Sequence, residues 1–398
     1  MLISLPQDVQ TILAALSAKK HCAYAVGGCV RDSLMGITPK DWDIATSAQP
    51  HEVKAIFPYT ADTGIEHGTV TVVLNHCNYE VTTFRIDGTY LDGRRPNTVA
   101  FTTNLEEDLS RRDFTMNAIA YNPTVGIVDP FGGIKDIRKK NIRCVGHAPS
   151  RFEEDALRMM RVIRFSAQLS FAIDPNTYWA IPPLATRLSL VSIERIREEL
   201  TKILSSKNPN ALPMLQETNL WPQVLRGIYY DGNLTQTAKW LKQCPKEPAM
   251  LYALLFPKKT FMRHLKFDNR TVNETAIYGD WLERFIPNER YAAKLALNAI
   301  GPRCLSNLLI LKKIIQPENT HHWEAIYSIC GDILKSGECF TLKDLAADGQ
   351  MLIKAGIPPG KAMGQVMSDM LNMVMKNPSL NEKESLINLA KKLILPHL

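Results

Sequence analysis

The stretch Lys40-Asp41-Trp42-Asp43-Ile44-Ala45-Thr46 sets two carboxylates at i and i+2. On a strand that spacing puts both on one face. Carboxylates so placed repel unless a cation lies between them. Mg²⁺ takes oxygen ligands and accepts one or two carboxylates together with substrate phosphates. Two such ions about 3.5–4 Å apart can clamp the attacking and leaving oxygens of a phosphoryl transfer. Trp42 and Ile44 then point the other way, into the core. The competing reading is an exposed strand end with two solvated acids, because the Asp-x-Asp pattern is common. The residues upstream favour the metal. In Gly27-Gly28-Cys29-Val30-Arg31-Asp32 the glycines let backbone N–H groups approach phosphates closely. Arg31, in the first turn of the next helix, reaches the same phosphates. Glu80, one strand further on, is either a third carboxylate or an ordinary surface strand residue.

The elements that must position these groups follow from periodicity. A helical pattern covers Gln7 to Ala18, and strands are expected at 22–26, 41–46, 69–74 and 79–85. The last two form a hairpin across Asn75-His76-Cys77-Asn78. Residues 87–104 are polar, without helical period, and long for a plain loop, so they read as a mobile functional element. Asn104 caps the next helix, with Glu107 as its capping-box partner. From about Ala148 helical periodicity runs to the end without convincing strands. Helices are expected at 151–169, 174–186, 191–205 and 207–217, and another starts at Lys361 after Pro358-Pro359-Gly360.

Composition narrows the classes. The chain has 398 residues, 45% of them apolar, room for about two or three domains. No apolar run approaches the roughly 18 residues that span a membrane, and the start lacks a basic segment before an apolar one. A cytoplasmic protein is expected. Its eight cysteines are scattered, with no zinc-like spacing, and read as reduced thiols. The net charge is +7, and residues 111–164 carry eleven Lys/Arg against six Asp/Glu, a region suited to triphosphates or a phosphate backbone.

The ordered set VGGCVRDSLMG…DWDIATSA, HGTVTVVL, YEVTTFR, RRDFTMNAIA, DPFGG and RFEEDALRMMRVIRF resembles bacterial tRNA nucleotidyltransferases, in the family that also holds bacterial poly(A) polymerases. The match is dense over residues 22–200 and thinner beyond. It implies an α+β head domain, a nucleotidyltransferase-type mixed β-sheet with helices, followed by an all-α neck, body and tail. The boundaries expected are 1–148 for the head, 149–205 for the neck, 206–335 for the body and 336–398 for the tail. The resemblance also implies that Asp41 and Asp43 bind Mg²⁺. It assigns nucleotide contacts to Gly28, Arg31, Arg112, Asp155, Arg158, Arg161 and Arg164. Gly27, Arg111, Asp113 and Asn117 are candidates for phosphate or ribose contacts, Asp113 as an acceptor from a ribose hydroxyl.

Base chemistry gives the neck helix a specific use. Cytosine and adenine both show an acceptor ring nitrogen beside a donor amine, whereas guanine and uracil show a ring N–H beside a carbonyl. An Asp only accepts and an Arg only donates. Asp155 and Arg158, at i and i+3, complement C and A and mismatch G and U. The bland alternative is an intrahelical salt bridge of Arg158 with Asp155 or Glu154. The activity implied is template-independent addition of CCA to the tRNA 3′ end from CTP and ATP. A poly(A) polymerase, or an enzyme adding only CC or only A, is the alternative on this scaffold. An inactive RNA-binding protein would have a broken Asp-x-Asp, and here it is intact. Partners expected are CTP, ATP and the acceptor arm of tRNA, with a homodimer left open. Lys354, Lys361, Lys391 and Lys392 are candidate tail contacts.

Overall fold

The computed structural model describes residues 3–88 and 99–394. They form two compact units, Met1–Lys242 and Gln243–Leu398. The expected head and neck both lie within the first.

The first unit starts with α1 (Gln7–Ala18), β1 (Ala23–Val26), α2 (Gly28–Leu34), β2 (Asp43–Thr46) and α3 (Pro50–Ile56). Next come β3 (Thr60–Gly64), β4 (Thr69–Leu74), β5 (Cys77–Thr83), β6 (Arg85–Asp87) and β7 (Val99–Phe101). They are followed by α4 (Leu105–Ser110), β8 (Ala120–Asn122), β9 (Gly126–Val128), α5 (Gly133–Lys139) and β10 (Asn141–Ile142). The main sheet is seven-stranded and mixed, in the order β3-β4-β5-β2-β1-β8-β9. β2 and β5 are its parallel pair, and Asp43 stands in register with Glu80. The β4–β5 hairpin is tighter than expected, because Cys77 already pairs with Leu74. Asn75 and His76 make the turn, at φ 48° and 63°, as a two-residue type I′ turn requires.

Asp41 is a correction. β2 starts at Asp43, so Asp41 lies outside the strand, and strand alternation does not place it beside Asp43. The ladder stops there because the β1 residue opposite Asp43 is Val26, the last before the glycine turn. Trp42 and Ile44 are buried as expected.

The ribbon β6–β7 is antiparallel and overlaps the polar stretch 87–104 expected as a loop, since Asp87 and Val99–Phe101 are in strand. Most of that stretch, residues 89–98, lies outside the described residues. Asn104 caps α4 by accepting from the Glu106 amide at 2.9 Å. Glu107 does not complete a capping box, because its carboxylate accepts from the Thr102 hydroxyl.

The helical pattern 151–169 is two helices, α6 (Ala148–Glu154) and α7 (Leu157–Leu169). Asp155 between them is extended, at φ −139° and ψ 102°. α7 is buried on more than one side, as its apolar residues implied. A strand missed by periodicity, β11 (Ala172–Ile173), pairs in parallel with β10. The pattern 174–186 divides into α8 (Pro175–Trp179) and α9 (Ile181–Leu184). Pro182 and Pro183 lack the N–H that would continue a helix. The pattern 191–205 is α10 (Ile193–Leu204). Residues 207–217 hold a 3-10 turn, Pro209–Ala211, and a short α-helix, Met214–Glu217, divided at Pro213.

The second unit is helical among its described residues. A helix begins at Lys361, right after Gly360. Met363, Met370 and Met375 pack there with Leu352, Leu386 and Ile394. No described helix is long and apolar enough to cross a membrane.

Gly133 sits where α5 meets the turn carrying Asn117. A Cβ there would lie 2.1 Å from the Thr115 carbonyl oxygen and 2.8 Å from its carbon. Backbone cannot swing aside as a side chain does. Gly133→Ala is therefore expected to cost about 1–3 kcal/mol or more, read as a lowered melting temperature. An unchanged melt would mean that α5 shifts freely.

Candidate active site

The chain leaves β1 through Gly27 at φ +79°, a conformation open to glycine at little cost. A Cβ there would come within 3.0 Å of an Arg112 terminal nitrogen. The guanidinium thus lies directly against the turn. Gly27, Gly28, Arg31, Asp43, Arg111 and Arg112 line one side of a cavity of about 410 Å³. Asp113, Asn117, Asp155, Arg158, Arg161 and Phe165 line the rest.

Arg31 is buried, and two contacts aim it. Its Nε donates to Asp32 at 2.9 Å and an NH group to Asn117 Oδ1 at 2.7 Å. Asn117 donates in turn to Asp113 Oδ1 at 3.0 Å. That oxygen also accepts the Phe114 amide at 2.8 Å. Asp113 Oδ2 accepts from Arg161 Nε at 2.8 Å and from its NH2 at 2.6 Å. A carboxylate offers roughly four acceptor positions, so these contacts leave Asp113 little with which to meet a ribose hydroxyl. Burial pushes the Asp113 carboxyl up most strongly, but Arg161, Asn117 and Arg158 together outweigh it and hold it at about 2.

Arg111 and Arg112 leave the end of α4 beside buried Asp108. The Arg111 carbonyl accepts from Arg158 at 2.9 Å, and the Ser110 carbonyl from Arg151 at 3.0 Å. Cations at a helix C-terminus oppose its negative dipole end. The end of α4 is joined there to α6 and α7.

Asp155 and Arg158 both reach the cavity but do not pair with each other. Asp155 Oδ1 accepts the Leu157 amide at 3.0 Å and Arg195 at 3.3 Å, and Oδ2 accepts Arg195 at 2.8 Å. Arg158 NH1 donates to Glu154 at 2.7 Å and to the Arg151 carbonyl at 3.3 Å. The bland salt bridge is therefore real, with Glu154 as partner, and it coexists with cavity exposure.

Arg164 does not line the cavity. It bonds Glu199 at 2.5 Å and Gln168 at 2.8 Å, and lies 3.6 Å over the Phe165 ring. Arg31 and Arg161 approach the same ring at 5.2 and 5.6 Å. Phe165 was legible only as an apolar helix residue. Arg195 carried no signal either, since its partner lies on another element, whereas Asp108 stands three and four residues before Arg111 and Arg112, a spacing that could have found it.

Asp43 opens onto the cavity. Its carboxyl is pushed above the usual carboxylate range, most by burial, then by Glu80 and Asp41, against the pull of Arg112. The residue keeps solvent contact, as do Asp41 and Glu80. Among the described residues no three His, Cys, Asp or Glu side chains gather into a metal site. A carboxylate crowded by two others suits a hard divalent cation, which draws its other oxygens from phosphate and water. The donor set fits such an ion.

Residues 23–143 match the family described as Poly A polymerase head domain, and residues 170–230 the one described as Probable RNA and SrmB-binding site of polymerase A. A CCA-adding enzyme of Geobacillus kaustophilus is 38% identical, over 94% of this chain and 93% of that protein. The chain belongs to the CCA-adding enzymes. A CCA-adding enzyme of Lactobacillus johnsonii is 37% identical over 94% of each chain. The crystal structure of the Bacillus stearothermophilus CCA-adding enzyme in complex with CTP superposes with a TM-score of 0.82 at 34% identity, covering 97% of this chain and 96% of that one. CCA-adding enzymes are tRNA nucleotidyltransferases that build the terminal CCA without a template, and this chain is such a transferase. The mixed-sheet head and helical remainder expected of it are present. The family's phosphoryl transfer generally uses divalent metal.

Proposed function

We propose that the cavity takes CTP and then ATP and reads their bases with Asp155 and Arg158. What carries this is the hydrogen-bonding capacity left over. Three contacts on Asp155 leave an acceptor position on Oδ2. The contacts of Arg158 leave its Nε–H and one NH2 hydrogen. One acceptor beside donors is what the amine and ring nitrogen of C or A need. Arg195 and Glu154 hold the pair still, so less ordering entropy is lost on binding.

Around the base site, Gly27, Gly28, Arg31 and Arg112 take the triphosphate, with Arg111 beside them. Asp113 and Asn117 act through Arg161 and Arg31 by fixing their direction. Arg164 backs Phe165. Asp41 and Asp43 hold Mg²⁺, with Glu80 as a further oxygen donor. Bound there, the ion supplies Lewis acidity at the α-phosphate. The tRNA 3′ hydroxyl attacks that phosphorus and pyrophosphate leaves, its charge met by Arg112 and the glycine turn. The division into head, neck, body and tail, a cytoplasmic location and a homodimer belong to the same reading. Exposed Lys354, Lys361, Lys391 and Lys392 are its candidates for the tRNA backbone.

The test is tRNA ending at its discriminator base, incubated with labelled CTP and ATP. The expected product is tRNA ending in CCA and no longer. A ladder of A residues would favour poly(A) synthesis, and arrest after CC would show a partial enzyme.

A further inference from the structure

Asp108 touches no part of the cavity, yet both arginines at the glycine turn depend on it. Its side chain is almost wholly shielded, at 1% exposure. Oδ1 accepts from Arg111 Nε at 3.0 Å and from its NH2 at 2.7 Å, and also faces the Arg85 amide at 3.4 Å. Oδ2 accepts from Arg112 at 3.2 Å. Arg112 Nε is itself buried with no hydrogen-bond partner among the described residues. Its other terminal nitrogen lies against Gly27. The guanidinium is thus held at one corner by a carboxylate and presents a second corner to the phosphate turn. Arg85 opens the ribbon β6–β7, so the same carboxylate ties that ribbon to the arginines.

We propose that Asp108 is a positioning residue for triphosphate binding, holding Arg112 and Arg111 in the direction a polyphosphate needs. The proposal rests on the assignment of Arg112 to the triphosphate. Without the carboxylate two adjacent guanidinium groups repel, and each long side chain regains rotamer freedom. An isosteric amide keeps the volume and loses the charge.

The experiment compares wild type, Asp108→Asn, Asp108→Glu and Arg112→Ala. It measures KM and kcat for CTP and ATP, tRNA affinity, and binding of inorganic tripolyphosphate by calorimetry. For Asp108→Asn, KM for both nucleotides and the tripolyphosphate Kd are expected to rise about tenfold, the effect of weakening one charge-assisted hydrogen bond. kcat should fall less, and tRNA affinity should hold within about twofold. Asp108→Glu keeps the charge and should show a smaller rise in the same constants. If the Asn variant does not fold, the Glu variant carries the test. Unchanged KM and tripolyphosphate Kd in a folded Asp108 variant, with Arg112→Ala impaired, overturn the role of Asp108 alone. Normal tripolyphosphate binding by Arg112→Ala overturns the assignment on which it rests. A loss of kcat and tRNA affinity at unchanged KM would show only a structural role.

Discussion

Asp43→Asn is expected to lower incorporation of both C and A by about 1,000-fold or more while tRNA affinity stays within about twofold, because a metal-binding carboxylate contributes several kcal/mol of transition-state stabilisation. Asp41→Asn should behave likewise. Each asparagine keeps the shape of the aspartate it replaces, so the fold has no reason to fail. Stability should even improve slightly. Burial, then Glu80 and Asp41, push the Asp43 carboxyl up against the pull of Arg112, and a neutral amide relieves both the desolvation and the repulsion. A protein that melts no lower than wild type but transfers nothing would show the usual tension between a working site and a stable one. Titration of Mg²⁺ or Mn²⁺ into the variant should show weakened binding, independent of turnover. Near-normal activity of either variant with Mg²⁺ would remove the metal assignment.

Arg158→Ala is the second large effect expected. One good bidentate base contact contributes about 1–3 kcal/mol of discrimination. kcat/KM for CTP and ATP should fall by roughly 10- to 100-fold. UTP and GTP should fall less, because the donor that opposed their ring N–H is gone. The structure makes this a clean test. Glu154 keeps Arg151 as a partner when Arg158 is removed, so no buried carboxylate is stranded. Asp155 keeps Arg195. Asp155→Ala should also weaken use of CTP and ATP, since their amines lose an acceptor. A uniform decline across all four nucleotides would mean that Arg158 only braces α6 against α4, and the base-reading role would be lost.

How these residues reached one cavity divides between chain and fold. Local sequence alone specified α1, the glycine turn, the β4–β5 hairpin and the helix start at Lys361. Each is decided by neighbours within a few residues: apolar period, a positive φ, a short polar turn (tighter in the structure than its sequence suggested), Pro-Pro-Gly ahead of a helix. The chemistry of Asp-x-Asp and of an acceptor beside a donor was legible for the same reason, since residue type carries it. Tertiary structure decided the rest. Glu153, Glu154, Asp155 and Ala156 continue a helical pattern, yet the chain breaks at Asp155. Its carboxylate caps Leu157 and meets Arg195, 40 residues on. Arg161 and Arg164 share a spacing of three, but Asp113 draws one to the cavity and Glu199 draws the other behind Phe165. Asp41 falls outside its strand because β1 has no residue left to pair with it. For Asp155, Arg161 and Arg164 a shielded guanidinium or carboxylate must find its partner, desolvation makes an unpaired charge costly, and the partner lies on an element that no local pattern could name.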